Sequence, residues 1–197
     1  MANVPKSVRN IIEAILKAEG GYVDDPADRG GKTNYGITEA TLGHWRKLGR
    51  NANEAEVRGL TKAEATEIYL KQYYYRPSFD ELYKSLQPTV TDFGVNSGTS
   101  RATKILQDMC NQIEGESLLK VDGMLGHHSI GLINEWCKRY PVLFVSSFCY
   151  KRIKYYIDIT NKRPANKRFI RGWIVRTNKF LKKEHKFDLT LIDNYVK

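Results

Sequence analysis

Apolar residues recur at helical spacing along almost the whole chain, and the pattern fails over one long stretch, Glu19 to Thr38. A chain written with a period near 3.6 residues buries its apolar stripes by packing helix on helix, because the same pattern read as strand would scatter them over both faces. Val8, Ile11, Ile12, Ile15 and Leu16 form the first stripe, with Ser7 in position to cap it and Gly20-Gly21 to stop it. Thr38 can cap a second helix carrying Leu42, Trp45 and Leu48. Thr61 and Glu64 read as a capping box for a third, with Ala65, Ile68, Tyr69 and Tyr73 on one side and Pro77 beyond its end. Further helical spacing is carried by Val90 and Phe93, by Ala102 to Met109, by Ile130 to Cys137, by Val142 to Ile157, and by Phe169 to Leu181. The fold class expected is mainly α, with a polar Gly/Asp-rich loop or a short hairpin, within residues 20 to 37, after the first helix.

Composition narrows the function classes. Of 197 residues, 41% are apolar and 11% aromatic, enough for a core in one domain or two packed halves. No run approaches the ~20 apolar residues that cross a bilayer, and the first helix carries acidic residues where a signal peptide needs an unbroken apolar stretch. Synthesis in the cytoplasm is expected. Cys110, Cys137 and Cys149 each fall among helical apolar residues and read as core thiols. Thirty-two Lys and Arg against 22 Asp and Glu give a net charge of +10, concentrated in the last third from Lys151 to Lys183. Such an excess favours a polyanionic partner, or it is simply a solvated face.

The break in the pattern holds five glycines and four carboxylates. Loops longer than a connection needs are often functional. Glu19 lies three residues after Leu16, four after Ile15 and seven after Ile12, which places a carboxylate on the apolar face in the last helical turn. There, desolvation and the negative end of the helix dipole favour the protonated form, the state a general acid needs. Alternatively the helix end frays and Glu19 turns to water. Asp24, Asp25 and Asp28 come next, then Thr33 and Asn34, between glycines that permit left-handed turns. A glycosidase needs a protonated acid on one side of the scissile bond and an ionised carboxylate on the other. Asp28 is the candidate for the second group, since Asp24-Asp25-Pro26 reads as turn chemistry, though Asp-x-Gly-Gly is itself an ordinary turn. A phosphate-binding loop ending in Gly31-Lys32-Thr33 would need glycine where Pro26 stands, and a calcium loop starting at Asp24 would need glycine where Arg29 stands. His44, His127, His128 and His185 have no metal-binding spacing, so neither metal nor other cofactor is expected.

EGGYVDDPADRGGKTNYGIT resembles the signature of the glycoside hydrolase family 108 lysozymes, N-acetylmuramidases found as phage and prophage endolysins and once labelled secretion activators. The resemblance extends to Trp45, to TKAEATEIYLKQYYYRP, to the FGVNSG turn, to ATKILQ and to RGWIVR, and it includes the peptidoglycan-binding-like C-terminal region often joined to this family. It implies a lysozyme-like catalytic region over 1–95 and a peptidoglycan-binding-like region over 96–197, packed as one globule. It also implies Glu19 as the catalytic acid. The spacing of Glu19, Asp28 and Thr33 is similar to the Glu, Asp and Thr of phage-type lysozymes, with Thr33 one position short of that pattern. In VDGMLGHHSIGLI, His127-His128-Ser129 stands where the family has Pro and Thr, and Ser129 remains able to cap the next helix.

The chain is therefore expected to cut the β-1,4 bond after N-acetylmuramic acid. Glu19 would protonate the leaving oxygen, Asp28 activate water or steady the oxocarbenium-like centre, and Thr33 orient the water; Tyr22, Asn34, Tyr35 and Asn96 are candidate groove residues. Peptidoglycan glycan strands are the expected partner of a monomer, with anionic envelope polymers meeting the basic surface, and export would run through a holin-type pore or another route. A lytic transglycosylase would share Glu19 without needing Asp28. A non-catalytic basic module for cell wall or nucleic acid would leave the loop idle.

Overall fold

Val8, Ile12, Ile15 and Leu16 are all buried along one side of α1 (Lys6–Glu19), so the first helix forms on the stripe read from its spacing. Gly20, at φ 75°, ends it, and the Gly20 N–H reaches back to the Leu16 carbonyl at 3.2 Å. The computed structural model describes residues 4–24 and 31–196, and its chain divides into two units, Met1–Arg76 and Pro77–Lys197. The sequence division at 95/96 falls inside a helix of the second unit.

In the first unit the polar stretch carries a small antiparallel sheet of three two-residue strands, β1 (Tyr22–Val23), β2 (Thr33–Asn34) and β3 (Ile37–Thr38), in the order β1-β2-β3. Tyr22 pairs with Asn34 and Asn34 with Ile37, while Val23 pairs with Thr33 and Thr33 with Thr38. Strand alternation therefore puts Tyr22, Asn34 and Ile37 on one face and Val23, Thr33 and Thr38 on the other. α2 (Glu39–Trp45) starts behind Thr38, whose Oγ1 accepts the Thr41 N–H at 3.1 Å, as its sequence suggests. α3 (Glu54–Arg58) has a complete capping box between Asn53 and Glu56. In α4 (Lys62–Leu70) only half of the expected box forms. Thr61 accepts the Glu64 N–H, but the Glu64 carboxylate instead takes two bonds from Arg46, at 2.8 and 2.6 Å. α4 packs against α1 and runs on into a π-helical turn, Lys71–Tyr75, closed by the Arg76 N–H on the Lys71 carbonyl at 2.9 Å. The wider turn carries Tyr74 into the core and leaves Tyr73 half-buried.

The second unit is helical throughout its regular elements: α5 (Gln87–Ser97), α6 (Thr99–Glu114), α7 (His127–Arg139), α8 (Pro141–Lys162), α9 (Lys167–Asn178) and α10 (Leu189–Val196), with short 3-10 turns between. Its long α8 packs against α5, α6, α7 and α9. Phe93 meets Phe148 and Tyr156 edge-on at 6.0 and 5.8 Å, and Trp173 stacks on Tyr156 at 5.1 Å. Arg152, counted by sequence among the surface cations, is fully buried and donates to Asp92 at 2.8 Å; Arg176 reaches the other oxygen of Asp92 at 2.7 Å. Ser129 does not cap α7. The helix begins at His127 behind Gly126, and Ser129 is buried in its first turn, 3.5 Å from Gln107 Nε2. Cys110, Cys137 and Cys149 are unpaired and buried. The architecture is mainly α, and no described helix is long and apolar enough to cross a membrane.

Candidate active site

Glu19 is the last residue of α1, and its side chain is exposed. The desolvated position expected from the helical spacing is thus corrected. The buried stripe ends at Leu16, one turn earlier, and the helix stops at Gly20 directly after Glu19.

The carboxylate nevertheless has a defined neighbourhood. Tyr35 (φ 52°) and Gly36 (φ 73°) join β2 to β3, both left-handed, the conformation of a tight two-residue hairpin. A Cβ placed at Gly36 would lie 2.9 Å from Glu19 Oε2, 3.0 Å from Glu19 Cγ and 2.8 Å from Tyr69 Oη. Carboxylate, phenol and hairpin tip therefore converge on one point that has room for a hydrogen and no more. Glycine at 36 serves both the left-handed backbone and this approach. Tyr69 is buried and donates its hydroxyl to the Tyr35 carbonyl at 3.1 Å, which ties α4 to the hairpin tip. Tyr73 stacks on Tyr69 with centroids 5.6 Å apart. Burial, and after it the charge of Glu19, pushes the Tyr69 hydroxyl above its ordinary range and raises Tyr73 in the same way. Both phenols consequently remain neutral at working pH beside the carboxylate.

The other residues singled out by sequence fall into separate places. Asn34 is buried, and its amide donates to the Val57 carbonyl at 2.9 Å and the Arg58 carbonyl at 3.4 Å, bracing β2 against α3. Tyr22, on the same sheet face, lies under the Arg58 guanidinium at 3.7 Å; its hydroxyl is buried without a hydrogen-bond partner among the described residues. Arg58 and Lys32 both bond Glu54, at 2.9 and 2.6 Å, and these two cations hold its carboxyl down at about 2. Thr33 is half-buried on the opposite face of the sheet, between Val23 and Thr38. Asp28 lies outside the described residues. Asn96 belongs to the second unit, where its amide donates to the Asp92 carbonyl of its own helix at 2.6 Å.

The structure thus brings Glu19 together with Tyr35, Gly36, Tyr69 and Tyr73, and the last three were not singled out as site residues by sequence. One signal for them was present. Tyrosines four apart on the buried side of a helix carry hydroxyls that need partners, and a glycine after Tyr35 marks a left-handed turn that could supply one. Beside this cluster Tyr35 borders an open hollow of about 500 Å³, lined also by Asn10, Leu16, Lys17, Gly20 and Lys62, a volume in the range of small-ligand sites. Among the described residues no group of three or more His, Cys, Asp or Glu could hold a metal ion.

Residues 12–98 match the family model described as glycosyl hydrolase 108, and residues 101–178 match the one described as predicted peptidoglycan domain. The solved structure of Brucella abortus SagA is similar to this chain at 28% identity and a TM-score of 0.66, over 97% of this chain and 96% of that one. No curated protein sequence matches the chain.

Proposed function

We propose that this chain, whose residues 12–98 match the glycosyl hydrolase 108 model, is a glycoside hydrolase of peptidoglycan and within that class an N-acetylmuramidase with Glu19 as its acid. In this reading it cuts the β-1,4 bond between N-acetylmuramic acid and N-acetylglucosamine. The convergence of Glu19, Tyr69 and the hairpin tip at Gly36 carries the proposal. It presents one exposed carboxyl at the end of a helix buried along one side, held against a backbone turn and phenols that stay neutral. Such a carboxyl can pass a proton to a glycosidic oxygen and take one back from water, while a neutral phenol beside it adds no competing charge.

The second carboxylate is assigned to Asp28 on the strength of the sequence; its role is to activate water or to stabilise positive charge developing on the sugar ring. Thr33, at the start of β2, is assigned to the water. The predicted peptidoglycan domain would hold the glycan strand, and the excess of cations would favour anionic polymers of the envelope.

Digestion of purified peptidoglycan tests the reading. New reducing N-acetylmuramic acid ends are expected. Reducing N-acetylglucosamine ends would refute the bond assignment, and 1,6-anhydro-muramyl ends would identify a transglycosylase. Glu19→Gln should lower the rate by about 100-fold or more, the usual contribution of general acid catalysis, with the fold retained. Asp28→Asn with a near-normal rate would remove Asp28 from the mechanism.

A further inference from the structure

Tyr69 and Tyr73, stacked on one another, lie on α4 and on the π turn Lys71–Tyr75 that continues it, and that turn also bears solvent-accessible side chains. There Lys71, Gln72, Tyr75 and Arg76 enclose, with Trp45 of α2, a second hollow of about 480 Å³. Its walls combine two chemistries. Trp45 is half-buried and Tyr75 is 39% exposed, with the Tyr75 ring anchored edge-on against buried Tyr74 at 5.1 Å. The Lys71 ammonium stands 5.1 Å from the Trp45 ring centroid, and Arg76 donates to Gln72 Oε1 at 3.2 Å while remaining exposed. Glu67 approaches Lys71 at 3.6 Å on the solvent side, so it offsets only one of the two cations.

Flat aromatic faces suit the C–H face of a sugar ring, and a guanidinium at the rim suits a carboxylate, which it can bind through two parallel hydrogen bonds. Resting on the proposed action on peptidoglycan, we propose that this hollow is a second glycan-contact site. It takes a muramyl residue with its ring on Trp45 and Tyr75 and a stem-peptide carboxylate on Arg76 and Lys71. A strand gripped here stays on the enzyme after a cut at Glu19, which matters most on insoluble wall.

The test uses the full chain carrying Glu19→Gln, so that ligand is not consumed, and tracks the Trp45 indole N–H and the Gly36 amide by NMR during titration with purified muramyl disaccharide-peptide. Both signals should move, and at saturating ligand the Trp45 shift should level off. Adding Tyr75→Ala and Arg76→Gln should weaken the affinity read at Trp45 by about tenfold or more, as expected for the loss of a charge-assisted contact, and leave that read at Gly36 unchanged. N-acetylglucosamine oligomers, which lack carboxylates, should move Trp45 with at least about tenfold lower affinity by the same argument. If Gly36 responds and Trp45 does not, the second site is refuted while the proposed function stands. If neither signal responds to the muramyl fragment, both readings fall. A Trp45 response to inorganic phosphate or polyglutamate as strong as to the muramyl fragment would reduce the hollow to a general anion patch and overturn the assignment.

Discussion

Replacing Gly36 by alanine separates the stability of the hairpin from the placement of the carboxylate. Two costs arise. The left-handed backbone, at φ 73°, costs a residue with a Cβ roughly 1–2 kcal/mol. The new methyl group also meets Tyr69 Oη at 2.8 Å and Glu19 Oε2 at 2.9 Å. Contact distances near roughly 3.5 Å require each oxygen to retreat by about half an ångström or more. Tyr69 is buried and tied to the Tyr35 carbonyl, whereas Glu19 is an exposed, flexible side chain, so the carboxylate yields first. Gly49→Ala is the matched control, because Gly49 has φ 68° and open space where its Cβ would stand. Both variants should lose about 1–2 kcal/mol in denaturant unfolding, within about 1 kcal/mol of each other. On soluble peptidoglycan fragments, kcat/KM of Gly36→Ala should fall by roughly tenfold or more relative to Gly49→Ala, since a one-ångström misplacement of a positioned catalytic group costs about 100-fold and this one is about half as large or more. Activity within about threefold of the control, less than 1 kcal/mol of transition-state binding, would refute the role of this contact.

Asn34→Ala should remove the side-chain donor from the buried Val57 carbonyl, which keeps the Leu60 N–H at 3.2 Å, and cost about 0.5–1.5 kcal/mol of unfolding free energy, whereas a binding role alone would leave stability unchanged. Asp92→Asn should remove the charge that faces fully buried Arg152 and cost about 3–5 kcal/mol, read from the same unfolding curves. Glu54 and Glu56 are each held at about 2 against an ordinary 4.5, by Lys32 with Arg58 and by Arg50 with the Asn53 N–H. Their folded values are depressed, so their contribution is complete above pH 4.5 and is lost as pH falls toward 2; Glu54→Gln and Glu56→Gln should each flatten the acid arm of stability against pH, the more so at low salt. Burial pushes the Cys110 thiol up to about 12, so native protein should react with a thiol reagent only on the timescale of unfolding; rapid labelling of Cys110 would contradict its packing.

What the sequence determines by itself here is short in range. The stripe of α1, the stop at Gly20 and the cap at Thr38 depend on residues within a few positions of one another, and local spacing, positive φ and capping chemistry suffice to read them. The same locality explains why Glu19 and the polar stretch after it stood out. Tertiary structure decided the rest, because each remaining feature depends on a partner distant in the chain. Tyr69 meets the Tyr35 carbonyl across 34 positions and Asn34 meets Val57 across 23, so the bracing of β2 by Asn34 and the place of Tyr69 beside the hairpin tip are set by partners that local spacing does not reveal. Glu64 left its half of a capping box because Arg46, 18 positions earlier, offered it two charge-assisted bonds. Arg152 reads as one more cation in a basic run until α5 brings Asp92 against it, 60 positions away. Glu19 sits on the apolar spacing of its helix, yet burial is set by what packs against a position, and the approach of Gly36 and Tyr69 leaves its side chain exposed.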